Sequence, residues 1–285
     1  MVLSNHTSKG VLTMTERQKI GFIGAGNMAT ALIKGLLNSG VYDREQILAS
    51  DKVDAAVKKV SEQFGLTCCA SNGELMQRCS IVVLSVKPQN LRDVLEEIKG
   101  EVRDDHLLIS IAAGIPLSMI QQIIGKDIAL IRVMPNTPAL VQKGVSALAA
   151  GKWAGPDHLA LAREIFNSVG KTVDVNEQMM DAVTAVSGSG PGYVFRIMEC
   201  MVDAGVAVGL EGKAALDLVV ETFLGAACLA RESGQSLASL REMVTSPGGT
   251  TAEGLAAFDK LGLADMTIKA VQAACRRSIE LGKNY

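Results

Sequence analysis

Gly24-Ala25-Gly26-Asn27-Met28-Ala29 lies between an apolar run that ends at Ile23 and an amphipathic run that begins at Asn27. A G-x-G-x-x-A pattern in that setting dictates a strand, a tight turn and a helix. Gly24 permits the turn, Gly26 lets a ligand approach the backbone, and the small Ala29 lets the helix pack close to the strand. Helix N-termini present bare N–H groups and a positive dipole end, so the turn is suited to the phosphates of a dinucleotide. The plainer alternative is a glycine-rich turn with no ligand.

The surrounding chain repeats the same strand-and-helix unit. Lys19 to Ile23, Ile47 to Ser50, Ile81 to Val86, Leu107 to Ile111 and Ala129 to Met134 are continuous apolar runs of strand length, as a sheet covered on both faces requires. Helical periodicity over Asn27 to Asn38, Asp54 to Phe64, Gln89 to Ile98 and Leu117 to Ile124 fills the gaps. The expected architecture is α/β, with a doubly wound, parallel, Rossmann-type sheet over residues 19–176. Val145 to Ala149 and Lys171 to Val175, around a helix from Pro156 to Ser168, extend its edge. The first eighteen residues are polar and form an expected disordered extension, with Met14 as an alternative start.

After Asn176 the strand pattern stops, and residues 177–285 read as helices broken at Gly188-Ser189-Gly190-Pro191, Gly209, Gly234 and Ser246 to Gly249. Faces such as Val219, Phe223, Ala226 and Ala230 carry more apolar surface than so short a segment hides alone, which points to a helical dimerisation domain. Packing on the sheet domain is the alternative. The net charge of −2, with basic residues spread thinly, gives no footprint for nucleic acid. No apolar stretch approaches the roughly 20 residues that span a bilayer. The six cysteines lack C-x-x-C spacing, so a reducing cytoplasm and no metal site are expected. Cys68 and Cys69, placed on a strand, would point to opposite faces.

The run ending at Ser50 is followed by Asp51 and Lys52, where such folds meet the adenosine ribose. Asp51 would accept from a ribose 2′-hydroxyl and repel a 2′-phosphate, whereas Ser50 and Lys52 would bind that phosphate, so NAD and NADP both remain open. Asp51 could equally cap the next helix. Ser85-Val86-Lys87-Pro88 and Ser110-Ile111-Ala112-Ala113-Gly114 close later strands and leave room for a nicotinamide ribose, or are ordinary strand-to-helix turns.

Far along the chain, Ser246-Pro247-Gly248-Gly249-Thr250-Thr251 reads as a second anion-holding turn. Its glycines bare backbone N–H groups, and a helix starting near Thr250 points its positive end at a bound anion. The competing reading is a capping box, Thr250-Thr251-Ala252-Glu253, which explains Glu253 but neither glycine.

Six ordered motifs resemble the pyrroline-5-carboxylate reductase family over residues 19–283: Gly21 to Met28, Val86-Lys87-Pro88, Ala112-Ala113-Gly114, Arg132 to Ala139, Val186 to Pro191, and Met243 to Thr251. The resemblance implies reduction of the cyclic imine 1-pyrroline-5-carboxylate to L-proline, with NADP (as NADPH) preferred and NAD (as NADH) possible, in dimers that assemble further, commonly to decamers. By the same resemblance Ile23, Gly24, Ala25, Gly26, Asn27 and Met28 hold the cofactor phosphates. Ser50 and Asn72 meet the adenosine end, and Ser85, Val86, Lys87, Pro88, Ala112, Ala113 and Gly114 meet the nicotinamide half. Ser246, Gly248, Gly249, Thr250 and Thr251 hold the substrate carboxylate, with Glu177 on the substrate side. Asp51-Lys52 departs from the family's Asn-Arg-like pair and weakens the NADPH preference.

The chemistry follows from what the chain lacks. His6, His106 and His158 are its only histidines, and none lies in the helical domain. A protonated imine is already electrophilic, so positioning suffices without a strong acid or base. Thr251 is the expected catalytic residue, donating a hydrogen bond to the ring nitrogen or relaying its proton. A β-hydroxyacid dehydrogenase shares the glycine-rich start but uses a lysine that Gly190 to Gly212 lacks. A nucleotide-sensing scaffold without turnover leaves the second anion turn unexplained.

Overall fold

The computed structural model describes residues 18–283, so the expected N-terminal extension falls, Gln18 apart, outside them. The chain forms two compact units: one runs to Gly188 and resumes at Arg277, and the other is Ser189–Arg276.

The first unit is built on β1 (Ile20–Ile23), β2 (Ile47–Ser50), β3 (Thr67–Cys68), β4 (Ile81–Leu84), β5 (Leu107–Ser110), β6 (Ala129–Met134), β7 (Gly144–Ala150) and β8 (Gly170–Asp174). They form one sheet in the order β3-β2-β1-β4-β5-β6-β7-β8. Interleaved are α1 (Asn27–Ser39), α2 (Asp54–Phe64), α3 (Asn72–Arg78), α4 (Pro88–Ile98), α5 (Leu117–Ile124) and α6 (Pro156–Asn167). Alternate strand residues feed two cores. Ile81 and Val83 pack with Leu32, Ile33 and Phe166 on one face, and Val82 and Leu84 pack with Leu75, Leu91 and Ile120 on the other. That two-sided burial is why the strands read as unbroken apolar runs.

The sheet departs from the all-parallel expectation at one place: β7 pairs antiparallel with β6, while β8 returns parallel to β7. Only a short 3-10 turn, Thr137–Val141, joins β6 to β7, too little chain for a crossover, whereas α6 supplies one between β7 and β8.

The sheet ends before Asn176, but the compact unit does not. Glu177–Met179, α7 (Met180–Val183) and a π-helical turn over Thr184–Gly188 stay with it, because fully buried Met180 packs against Ala147 and Ala149.

The second unit holds α8 (Gly190–Ala207), α9 (Gly212–Glu232), α10 (Leu237–Met243), α11 (Thr250–Lys260) and most of α12 (Leu263–Lys283). Among its residues only Ala215 and Val219 are buried hydrophobics, while Phe195, Leu218, Leu224 and Phe258 are at least half exposed. Burying each such side chain is worth roughly 1.5–3 kcal/mol, so the unit is an incomplete core on its own. Of the face named from the sequence, Val219 is turned inward, Phe223 and Ala230 are partly covered and Ala226 is exposed, and further free apolar surface lies elsewhere on α9, at Leu216, Val220 and Leu224.

Candidate active site

β1 ends where the strand order reverses: its neighbours are β2 on one side and β4 on the other, and all three end in register, Ile23 beside Ser50 and Leu84. Ligands of open α/β sheets bind at such switch points. Gly24 turns the chain with φ +102, and a Cβ there would stand 2.8 Å from the Ser85 carbonyl, so only glycine fits. The turn is fastened on both sides. Gly24 N donates to Ser50 O at 2.8 Å, and the Ser85 hydroxyl donates to Gly24 O at 2.7 Å. α1 starts behind Gly26 with no side-chain cap, and Ala29 is fully buried, which brings the helix start against the strand.

A cleft of about 540 Å3 opens here. Ile23, Gly24, Gly26, Asp51, Lys52, Asn72, Ser85, Val86 and Lys87 line it, so the structure brings together most of the residues expected around a dinucleotide. Ala25, Asn27, Met28, Ser50 and Pro88 do not line it. Ala25 is buried, and its N–H donates to Asp51 Oδ2 at 2.7 Å. Asn27 and Met28 open α1, and Pro88 opens α4.

Asp51 does not cap α2, which starts behind Val53. Its second oxygen takes the Val53 N–H at 2.9 Å, so the carboxylate ties the end of β2 to the glycine turn. Ser50 is buried and donates to Asn72 Oδ1 at 2.8 Å, and Asn72 in turn donates to Glu97 at 2.9 Å. Ser50 thus supports Asn72 from beneath. Glu97, with Asn90, Asp93 and Val94, forms a face of α4 on the cleft that the sequence reading missed. Their three- and four-residue spacing after Lys87-Pro88 was the available signal.

Ala112, Ala113 and Gly114 lie outside this cleft but along the same edge, since Leu84 pairs with Ser110 and Ile111 N donates to Leu84 O at 3.2 Å. Glu177 sits close by in sequence-distant chain: its Oε1 accepts the Leu117 N–H, at the start of α5, at 2.6 Å and lies 3.7 Å from the buried guanidinium of Arg132. Burial pushes Arg132 down from its ordinary value, opposed by the Glu177 and Asp181 carboxylates.

In the second unit, Ser246–Thr251 forms a tight turn closed by Gly249 N donating to Ser246 O at 3.0 Å, with Gly248 at φ +68. α11 begins at Thr250 behind Gly249, and no side chain caps it. The capping-box alternative therefore does not form, and both threonines stay exposed at an open helix start. His106 and His158 are spent on structure: Nδ1 of each accepts a backbone N–H, from Arg103 at 2.9 Å and Gly155 at 3.0 Å. The six cysteines are unpaired, and the described residues contain no cluster of three metal-ligating side chains and no helix apolar and long enough to cross a membrane.

Comparison with known proteins agrees with both halves of this arrangement. Residues 177–281 match the family model described as pyrroline-5-carboxylate reductase dimerisation, and residues 19–114 match one described as NADP oxidoreductase, coenzyme F420-dependent. The chain is 43% identical to a pyrroline-5-carboxylate reductase of Methanosarcina acetivorans, over 94% of this chain and 99% of that one. Its structure is similar to that of a pyrroline-5-carboxylate reductase from Coxiella burnetii, with TM-score 0.89, 36% identity, and 93% and 98% of the two chains covered. A Plasmodium falciparum pyrroline carboxylate reductase solved with NADP bound matches with TM-score 0.82 and 34% identity over 94% of this chain and 99% of that one. With 34–43% identity to such relatives over nearly their whole length, and a glycine-rich switch point and an uncapped Ser-Pro-Gly-Gly-Thr-Thr helix start of its own, this chain belongs to the pyrroline-5-carboxylate reductase family.

Proposed function

We propose that this protein reduces 1-pyrroline-5-carboxylate to L-proline with NADPH or NADH, the final step of proline biosynthesis. The observation that carries the reading is the Ser246–Thr251 turn: an open helix start, with bared backbone and two exposed threonine hydroxyls, in a chain whose described histidines are committed to structure.

The switch-point cleft fits a dinucleotide, because its glycine turn excludes a Cβ and its helix start has no side-chain cap. In this reading Ile23, Gly24, Ala25, Gly26, Asn27 and Met28 hold the phosphates by backbone N–H groups and the helix dipole. Asp51, Lys52 and Asn72 meet the adenosine ribose, with Ser50 bracing Asn72. Ser85 to Pro88 and Ala112 to Gly114 border the nicotinamide half. Bound NADPH or NADH supplies a hydride to an electrophilic carbon.

On the substrate side, Ser246, Gly248, Gly249 and Thr250 hold the carboxylate at the positive end of α11. Thr251 is the catalytic residue: its hydroxyl bonds the ring nitrogen, which keeps its proton as the iminium becomes a secondary amine. Glu177, fixed by Leu117 N–H and Arg132, stands on the substrate side. Orientation provides the acceleration, since the iminium needs no further activation.

The protein works as a dimer through residues 177–285, with residues 19–176 as the dinucleotide-binding domain. Dimers assemble further to a decamer, in a cytoplasm that keeps the six thiols reduced. The test is the absorbance of NADPH and NADH with 1-pyrroline-5-carboxylate, set against 3-hydroxy acids with the oxidised cofactors. Consumption with the imine and silence with the hydroxy acids supports the reading; the reverse, or binding without turnover, refutes it.

A further inference from the structure

The last turns of α12 leave the helical unit and group with the sheet, where they meet the loop that follows β5. Gly114, at φ +76, packs against them: a Cβ on it would stand in ordinary contact, 3.6 Å from Leu281 Cβ and 3.7 Å from Gly282 N and Ser278 O. The approach is tighter from the other side. A Cβ on Gly282 would stand 2.7 Å from the Gly114 carbonyl oxygen, a backbone atom that no side-chain rotation can move away.

The helix end is itself held. Ser278 is 4% exposed, and its hydroxyl donates to Asp181 Oδ1 at 2.6 Å. Asp181 stands in α7, one residue after fully buried Met180 and four after Glu177, whose carboxylate accepts the Leu117 N–H at 2.6 Å. The loop from Ala112 to Gly114 is thus gripped from two directions. Glu177 fixes the helix start that follows it, and the end of α12 presses on Gly114 while anchored to the same short segment through Asp181. Neither Ser278 nor Gly282 reaches the switch-point cleft.

We infer that the end of α12, through the Ser278–Asp181 bond and the Gly282–Gly114 contact, is a positioning element that sets the Ala112–Gly114 loop and so the affinity for the nicotinamide half of the cofactor. The inference rests on the reading that this loop borders that half. Ser278 and Gly282 touch no reacting atom; they act through the loop.

The experiment uses the full-length protein and two probes: NADPH, and 2′-phospho-ADP-ribose, which keeps the adenosine half and lacks nicotinamide. Ser278→Ala should weaken NADPH roughly five- to tenfold, on the scale of one lost buried hydrogen bond, and Gly282→Ala, whose added Cβ must push the Gly114 carbonyl away, should weaken it too, while 2′-phospho-ADP-ribose binds both as it binds wild type. Ser278→Thr, which restores a hydroxyl, should recover most of the NADPH affinity. Ala112→Val, inside the loop, tests the underlying reading. If it discriminates between the probes and both α12 variants bind like wild type, the loop reading stands and the positioning role is overturned. If no variant discriminates, both fall. Equal loss of both probes marks a general weakening of the domain and also overturns the role. Should Gly282→Ala fail to fold, the pair Ser278→Ala and Ser278→Thr decides alone.

Discussion

The backbone N–H of Ala25 donates a 2.7 Å hydrogen bond to Asp51 Oδ2, so the residue expected to read the adenosine ribose also fastens the glycine turn expected to hold the phosphates. A hydrogen bond to a charged group is worth roughly 1.5–3 kcal/mol. Asp51→Ala is therefore expected to lower kcat/KM with NADH by about tenfold or more. The loss with NADPH should be smaller, because the same substitution removes a carboxylate that repels a 2′-phosphate. Initial rates with each cofactor check this; an unchanged NADH-to-NADPH ratio would mean that Asp51 does not face the ribose.

Thr251 is exposed at the first turn of an uncapped helix, so its hydroxyl is free of a structural duty at the helix end. Thr251→Ala should lower kcat/KM by roughly ten- to a hundredfold, with the melting temperature little changed. Thr251→Ser should retain most of the activity. Wild-type kinetics from folded Thr251→Ala would remove the residue from the mechanism.

His106 is buried, with Nε2 set between Met76 O at 3.0 Å and Cys79 O at 2.9 Å. Burial pushes its pKa below the ordinary value of 6.5, with the Arg103 charge adding to the effect. The folded state then binds a proton less readily than the unfolded chain. Stability contributed by neutral His106 is complete above about pH 6.5 and falls as pH drops below it, until the folded-state pKa is reached. Thermal unfolding at a series of pH values from 7.5 down to 5 should show that slope, and His106→Gln should flatten it. An identical slope in the variant would assign the titration to other groups.

Leu224 is 56% exposed on α9, in a unit with only two buried hydrophobic residues. Leu224→Glu sets a charge into the surface that self-association must cover, and should shift the protein toward monomer in sedimentation. The monomer should also lack reductase activity, since the proposed reading puts both assembly and substrate binding on the helical segment, whose family model is described as dimerisation. A fully active monomer contradicts that coupling.

What could be read in advance follows from which forces are local. Ile47–Ser50, Asp54–Phe64 and Leu117–Ile124 have the boundaries that periodicity gives, because burial on one or both faces writes itself into the residue pattern. Thr67–Cys68 is too short for a period to show, and the direction of β7 leaves no mark, since a buried strand looks the same run either way. Asn90, Asp93 and Glu97 are polar and sit at helical spacing on α4, a pattern that a solvent-facing helix surface shares. They line the cleft only because β1 and β4 are neighbours across the strand-order reversal. On α9 both faces are apolar, so composition could not tell Val219, turned inward, from Leu224, turned out. The Glu177–Leu117 bond joins residues sixty positions apart and belongs wholly to the tertiary fold.

The most direct measurement is the fate of the transferred hydrogen. With 1-pyrroline-5-carboxylate and NADPH carrying two deuterium atoms at nicotinamide C4, the account predicts L-proline with a single deuterium, placed at C5, the former imine carbon. Unlabelled proline, deuterium elsewhere on the ring, or no turnover by the folded oligomer would contradict it.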